Sequence, residues 1–211
     1  MLSAASANKP YSLADGERLV RSARYAIELH LTTKNLDRRI VEEGLKGIKG
    51  GHGVFVTITH YPNNVLRGCI GVAKPVENLG QALVDMAIAA ATGDPRFVPV
   101  SHREFEHMVI GVNVLAKPEK MHGTATEMKK AILVGRDGLM IEYGYNTGLL
   151  LPIVAVEEGW SAQEFLENVC AKAGLGSHMW RNRGASLYKF SSQVFRESSP
   201  NGPVEELDLS A

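Results

Sequence analysis

The chain has little cysteine: Cys69 and Cys170 are its only two among 211 residues, far apart and in unlike contexts. Two distant cysteines make no disulfide framework, so free thiols and a reducing cytoplasm are the expectation. Net charge is also lacking, because 23 Lys and Arg balance 23 Asp and Glu. A nucleic-acid or anionic-membrane surface as main partner is therefore disfavoured, although a local basic patch stays open. No apolar run is long enough to span a membrane; the longest, Ala82–Ala91, is broken by Asp85. Met1–Ala7 carries no basic stretch with an apolar core behind it, so no signal peptide is expected. The seven histidines show no metal spacing, and no metal site is expected. The phosphate-cradling G-x-x-x-x-G-K-[ST] pattern, the G-x-G-x-x-G dinucleotide pattern and the G-x-S-x-G nucleophile elbow are all missing.

What is present alternates helices with short strands. Ser12 opens a capping pattern with Asp15, and Leu19, Ala23, Ala26 and Ile27 recur at helical spacing to about Leu31. Residues 32–52 are charged and glycine-rich and read as a loop with a short helix at Asp37–Glu43. Val54–His60 and Val65–Val72 read as a hairpin across the turn Tyr61–Asn64. Val76–Thr92 is a helix ending at Gly93, and Asp94–Pro99 must be an ordered loop. Ser101–Glu104 is a capping box, and Met108–Leu115 is a third strand. A second hairpin is expected from Ala131–Val134 and Leu139–Tyr143 around Asp137-Gly138, and Leu149–Val156 reads as one more strand. Ser161–Glu164 caps a helix through Phe165, Leu166, Val169 and Cys170, and Leu187–Phe195 is the last strand expected. The stretch from Glu197 is acidic and reads as a fraying tail. Strands joined by short turns, with helices between, predict an α+β fold: an antiparallel or mixed sheet with packed helices.

Leu66-Arg67-Gly68-Cys69-Ile70-Gly71 concentrates the chemistry. Glycine weakens a strand, so Gly68 and Gly71 suggest a close backbone approach. Alternation puts Leu66, Ile70 and Val72 on a packing face and Arg67 and Cys69 on the other. If Tyr61 faces Val65 across the turn, Thr59 pairs with Arg67 and Thr57 with Cys69. A neighbouring guanidinium favours a thiolate, the reactive form, so Cys69 and Arg67 are candidates for catalysis. The plainer role for Cys69 is a small buried hydrophobe. Cys170 lies in an apolar helical stripe and reads as core. Asp94 and Arg96 form either an ion pair that pins a loop or an anion site oriented by an acid, with Asp94 able to serve as a base. Glu142 and Tyr145, near a glycine turn, are weaker candidates for the same cleft.

These segments resemble the AMMECR domain family, named for a gene product of a human chromosomal region linked to Alport syndrome. The resemblance rests on Phe55-Val-Thr-Ile with Leu66–Gly71, on Asp94-Pro-Arg-Phe97, on Gly148–Pro152, and on Glu158-Gly-Trp160 with Phe165-Leu166. Cys170–Leu175 and Trp180 complete it, over roughly residues 12–196. Gly93, Val98 and Ile153 stand where the family commonly has a basic residue, a proline and a glutamine. The resemblance implies one domain over 12–196 with a larger and a smaller lobe, and flexible tails at 1–11 and 197–211. It implies an intracellular protein of unsettled biochemical function. No cofactor is expected. Its partners would be Memo-type and radical-SAM proteins, encoded beside or fused to many microbial relatives. The signature falls on Leu66, Arg67, Gly68, Cys69, Ile70 and Gly71, and the second motif on Asp94, Arg96 and Phe97. Three functions stay open: a binding module, a thiol-dependent enzyme subunit, and a nucleic-acid-binding regulator.

Overall fold

The computed structural model describes residues 11–33, 38–48 and 53–208. The chain divides into two compact units. The first runs to Val114 and takes Gln193–Leu207 as well; the second is built on Leu115–Ser192. Helices and antiparallel strands are mixed in both, an α+β fold. Among the described residues no helix is long and apolar enough to cross a membrane.

The first unit opens on α1, Leu13–Thr32, whose capping box joins Ser12 and Asp15. Its buried stripe, Leu19, Val20, Ala23, Ala26 and Ile27, faces an apolar core. Short α2 (Arg38–Gly44) follows, then β1 (Gly53–His60), β2 (Leu66–Val72), α3 (Leu79–Thr92), short α4 (His102–Phe105) and β3 (Met108–Leu115). Its last strands are the end of β7 (Ser186–Glu197) and β8 (Val204–Leu207); the numbers between fall in the second unit. The sheet order is β2-β1-β3-β7, with β8 on β7. Val54, Val56 and Ile58 of β1, Ile110, Val112 and Val114 of β3, and Phe195 of β7 meet α1 and α3 in one core. Each large aliphatic side chain sealed there contributes about 2 kcal/mol.

The second unit holds β4 (Glu119–Lys120), α5 (Ala125–Lys130), β5 (Asp137–Tyr143), β6 (Asn146–Leu150), α6 (Pro152–Glu157), α7 (Ala162–Lys172) and the first part of β7. Its sheet order is β6-β5-β7, and β4 also pairs with β7. Phe165, Leu166, Val169 and Cys170 of α7 pack with Leu139 and Ile141 of β5.

Three expectations are corrected. Ala131–Val134 is no strand, and Asp137-Gly138 is no hairpin turn. Asp137 instead begins β5, and its carboxylate accepts from Leu133 N–H at 3.0 Å. The strand expected at Leu149–Val156 stops at Leu150, because Pro152 opens α6, where a missing N–H costs nothing. The stretch from Glu197 is no loose tail. Glu197 is fully buried. Its carboxylate takes Arg24 Nε and Nη2, both at 2.6 Å, with Ile110 N–H at 2.9 Å and Arg21 Nη1 at 3.1 Å. At the other end Tyr11 is buried and exchanges two hydrogen bonds with Gln193, at 3.0 and 2.9 Å. Burial, with a smaller push from Asp15, raises its hydroxyl to about 12. Residues 1–10, 34–37, 49–52 and 209–211 of the expected tails and loop, with the expected helix start at Asp37, lie outside the described residues.

Candidate functional site

The signature is β2, an edge strand whose one strand neighbour among the described residues is β1. The register pairs Thr57 with Cys69 and Ile58 with Gly68, as the alternation implies. It then slips, and Thr59 pairs with Leu66. Arg67 is the extra residue of a β-bulge, not the partner of Thr59. The bulge re-aims its side chain. Arg67 is buried and forks onto Glu104 of α4, Nε to Oε1 at 2.6 Å and Nη2 to Oε2 at 3.2 Å. The Arg67 hydrogen bond is the main reason the Glu104 carboxyl sits below its ordinary range. His60 Nε2 stands 3.7 Å from the same carboxylate.

Cys69 is held differently. Its backbone N–H donates to Asp94 Oδ2 at 2.9 Å, and its C=O accepts from Arg96 Nη2 at 3.2 Å. Both groups therefore point away from β1. Thr57 and Cys69 form a non-hydrogen-bonded pair, the kind whose side chains lie closest. The Thr57 hydroxyl donates to Cys69 Sγ at 3.4 Å accordingly. Asp94 and Arg96 occupy the place of a further strand, one accepting and the other donating, and so blunt the sheet edge.

Asp94 is 4% exposed. Besides Cys69 it takes three donors from Arg96: the backbone N–H at 3.1 Å, Nε at 2.9 Å and Nη2 at 2.7 Å. Arg96 above all, against the opposing effect of burial, holds the Asp94 carboxyl far below the carboxylate range. In turn Asp94 raises the Arg96 pKa, and the nearby Cys69 adds a smaller push. The Arg96 side chain stays 54% exposed. Its Nη1 has no protein partner among the described residues. Phe97 is half-buried beneath two guanidinium groups, Arg67 at 5.7 Å and Arg96 at 5.4 Å from its ring centre.

The seven expected site residues thus share one edge of the first unit, with changed parts. The cation bonded to Cys69, at its backbone carbonyl, is Arg96, while Arg67 belongs to Glu104. The close approaches at the two glycines are made by the protein itself. A Cβ on Gly68 would lie 2.1 Å from the Ala90 carbonyl oxygen of α3. A Cβ on Gly71 would lie 2.2 Å from the Phe55 ring. Glu142 and Tyr145 lie in the second unit. Glu142 accepts from the Tyr188 hydroxyl at 3.1 Å, and Tyr145 is fully exposed. Among the described residues no three His, Cys, Asp or Glu side chains are grouped to hold a metal ion.

A family model described as AMMECR1 matches residues 20–195. The chain belongs to the AMMECR1 family. Protein MJ0810 of Methanocaldococcus jannaschii is 42% identical over 199 residues, covering 94% of this chain and 98% of that one. A protein of Methanocella arvoryzae is 45% identical over 197 residues, 92% of this chain and 97% of its own. The crystal structure of the uncharacterized protein PH0010 from Pyrococcus horikoshii shares the fold with a TM-score of 0.85 at 40% identity. That match covers 95% of this chain and all of the other.

In this AMMECR1-family chain, Glu104 joins the signature strand through Arg67 and stands beside His60. The capping box at Ser101–Glu104 marked it only as a helix start, and the same carboxylate also binds Arg67. The signal available was the imbalance it leaves: an arginine inside an apolar strand needs an acid somewhere.

Proposed function

We propose that this AMMECR1-family chain is a binding module. Its ligand or partner docks on the outer face of β2 beside Cys69 and presents an anionic group to Arg96. One observation carries the reading: Arg96 is fixed from behind by buried Asp94 and the Cys69 carbonyl, yet is half exposed with Nη1 unused. A cation held this way loses little freedom on binding an anion. The half-buried thiol and the Thr57 hydroxyl beside it supply further contacts. The ion-paired state of Arg67 and Asp94 supports binding over acid–base catalysis at the thiol, because neither group is free to move a proton.

The test is the charge preference of thiol modification at Cys69. An anionic thiosulfonate is compared with a neutral one, in the wild-type chain and in Arg96→Gln. A preference for the anion that disappears with Arg96 supports the reading; a rate ratio equal to that of a free thiol rejects it.

A further inference from the structure

The edge of β2 holds one open position next to Arg96. Thr57 faces Cys69 and Phe55 faces Gly71 as non-hydrogen-bonded pairs, with no bulge between them. The backbone N–H and C=O of Gly71 therefore point off the edge, as those of Cys69 do. Along the edge the order is Cys69 N–H, Cys69 C=O, Gly71 N–H, Gly71 C=O. Asp94 takes the first and Arg96 the second. Among the described residues no protein group bonds either of the Gly71 groups. Gly71 is half-buried, and β2 ends one residue later at Val72.

A strand laid along this edge cannot continue past Gly71 toward Leu66, because Asp94 and Arg96 fill its row at Cys69. Its chain has to end there. In an antiparallel pair the residue opposite Gly71 accepts from the Gly71 N–H with its C=O and donates its N–H to the Gly71 C=O. Such a chain runs against β2, so its C-terminal end lies on the Cys69 side. The group set against the Gly71 N–H is then a terminal carboxylate, and the unused Nη1 of Arg96 is the cation beside it. A simple anion would leave the Gly71 carbonyl without a donor. An amine would supply the donor and meet Arg96 with like charge. An α-amido carboxylate, the last residue of a peptide chain, supplies donor and anion with one carbon between them.

The ligand's side chain is constrained as well. Directly opposite residues share a face, and on that face a Cβ of Gly71 would lie 2.2 Å from the Phe55 ring. The half-buried ring thus lies over the glycine, where the terminal side chain of the ligand meets it. An apolar side chain suits this contact.

We propose that the edge of β2 captures the C-terminal residue of an extended peptide, its N–H on the Gly71 carbonyl and its carboxylate between the Gly71 N–H and Arg96. The proposal rests on the reading of Arg96 as the anion contact and adds the class of ligand. The test is an NMR titration of the full chain with N-acetyl-leucine, read at the Gly71 backbone amide. Two comparisons change the ligand and leave the protein intact. N-acetyl-leucinamide keeps the strand contacts and loses the charge; N-acetyl-N-methyl-leucine keeps the charge and loses the N–H. N-acetyl-leucine should shift the Gly71 amide saturably. The leucinamide should bind at least about tenfold more weakly, and the N-methyl compound about fivefold more weakly. Arg96→Gln should weaken N-acetyl-leucine about tenfold and leave the leucinamide unchanged. No saturable shift at Gly71, or equal binding of either comparison ligand, would overturn the proposal. If N-methylation changes nothing while Arg96→Gln still weakens binding, strand pairing at Gly71 fails and the reading of Arg96 stands. If Arg96→Gln changes nothing, both fail.

Discussion

The Asp94 carboxylate accepts the backbone N–H of Cys69 at 2.9 Å, with the two residues 25 positions apart in the chain. The contact ties the signature strand to the loop after α3. It also sends the thiol to the outer face, because a strand residue whose backbone points off the edge has its side chain fixed by the pleat. Asp94→Asn keeps the shape and loses the charge that holds Arg96. The expected cost is about 2 kcal/mol, from weakened charge-assisted hydrogen bonds to a buried group. Urea denaturation at neutral pH measures it.

The same carboxylate gives the fold an acid dependence. Its pKa in the folded chain is depressed below the ordinary 3.8. Its contribution is therefore fully present above that value and is lost as pH falls through the folded one. Melting of the wild-type chain should lose stability faster below about pH 4 than Asp94→Asn does. Parallel acid profiles would show that the Asp94–Arg96 pair carries no linkage.

Arg67 should act on stability, not on ligand affinity. Arg67→Met leaves Glu104 without its fork, at a cost of about 2 to 3 kcal/mol, reduced because Glu104 is partly exposed. Glu104→Gln should cost less, since an amide still accepts from Arg67. Chemical denaturation of both variants decides, and an Arg67→Met chain of wild-type stability would contradict the bulge geometry.

Gly68 separates packing from ligand contact. A methyl group there meets the backbone oxygen of Ala90, which cannot swing aside. Gly68→Ala should cost about 1 to 3 kcal/mol through displacement of α3 against the hairpin. Wild-type stability with lost binding would return Gly68 to a ligand role.

Glu197 tests the ordered end of the chain. It is fully buried among Arg24, Arg21 and Ile110. Glu197→Ala leaves Arg24 buried and unpaired and should cost about 3 to 5 kcal/mol. Thermal unfolding measures the loss, and an unchanged midpoint would mean that the segment is dispensable.

Much of this was legible in the sequence for identifiable reasons. The period-2 pattern of Val54–Ile58 assigned the core face of β1, and the Ser12, Ser101 and Ser161 caps located three helices. Cys69 opposite Thr57 followed from alternation and the turn. The Arg67 bulge did not, because a bulge adds one residue without changing composition. The partner of Arg67 lies 37 residues away, a distance at which pairing is set by topology. Pro152 carried a helix-start signal that the apolar run around it obscured. Glu197 looked like tail because its acidity is balanced by Arg24, on the first helix.

The most direct measurement is the rate of Cys69 modification by 2-sulfonatoethyl methanethiosulfonate against methyl methanethiosulfonate. Buried Cys170 is the internal reference for an intact fold. The anionic-to-neutral rate ratio should exceed that of a free thiol by about five- to tenfold at low salt, the effect of one fixed cation near the thiol, and shrink as salt rises. Arg96→Gln should bring the ratio down to the free-thiol value, and Arg96→Lys should keep part of the preference. A ratio equal to the free thiol in the wild-type chain, or one that Arg96→Gln leaves unchanged, would contradict Arg96 as the anion contact beside Cys69.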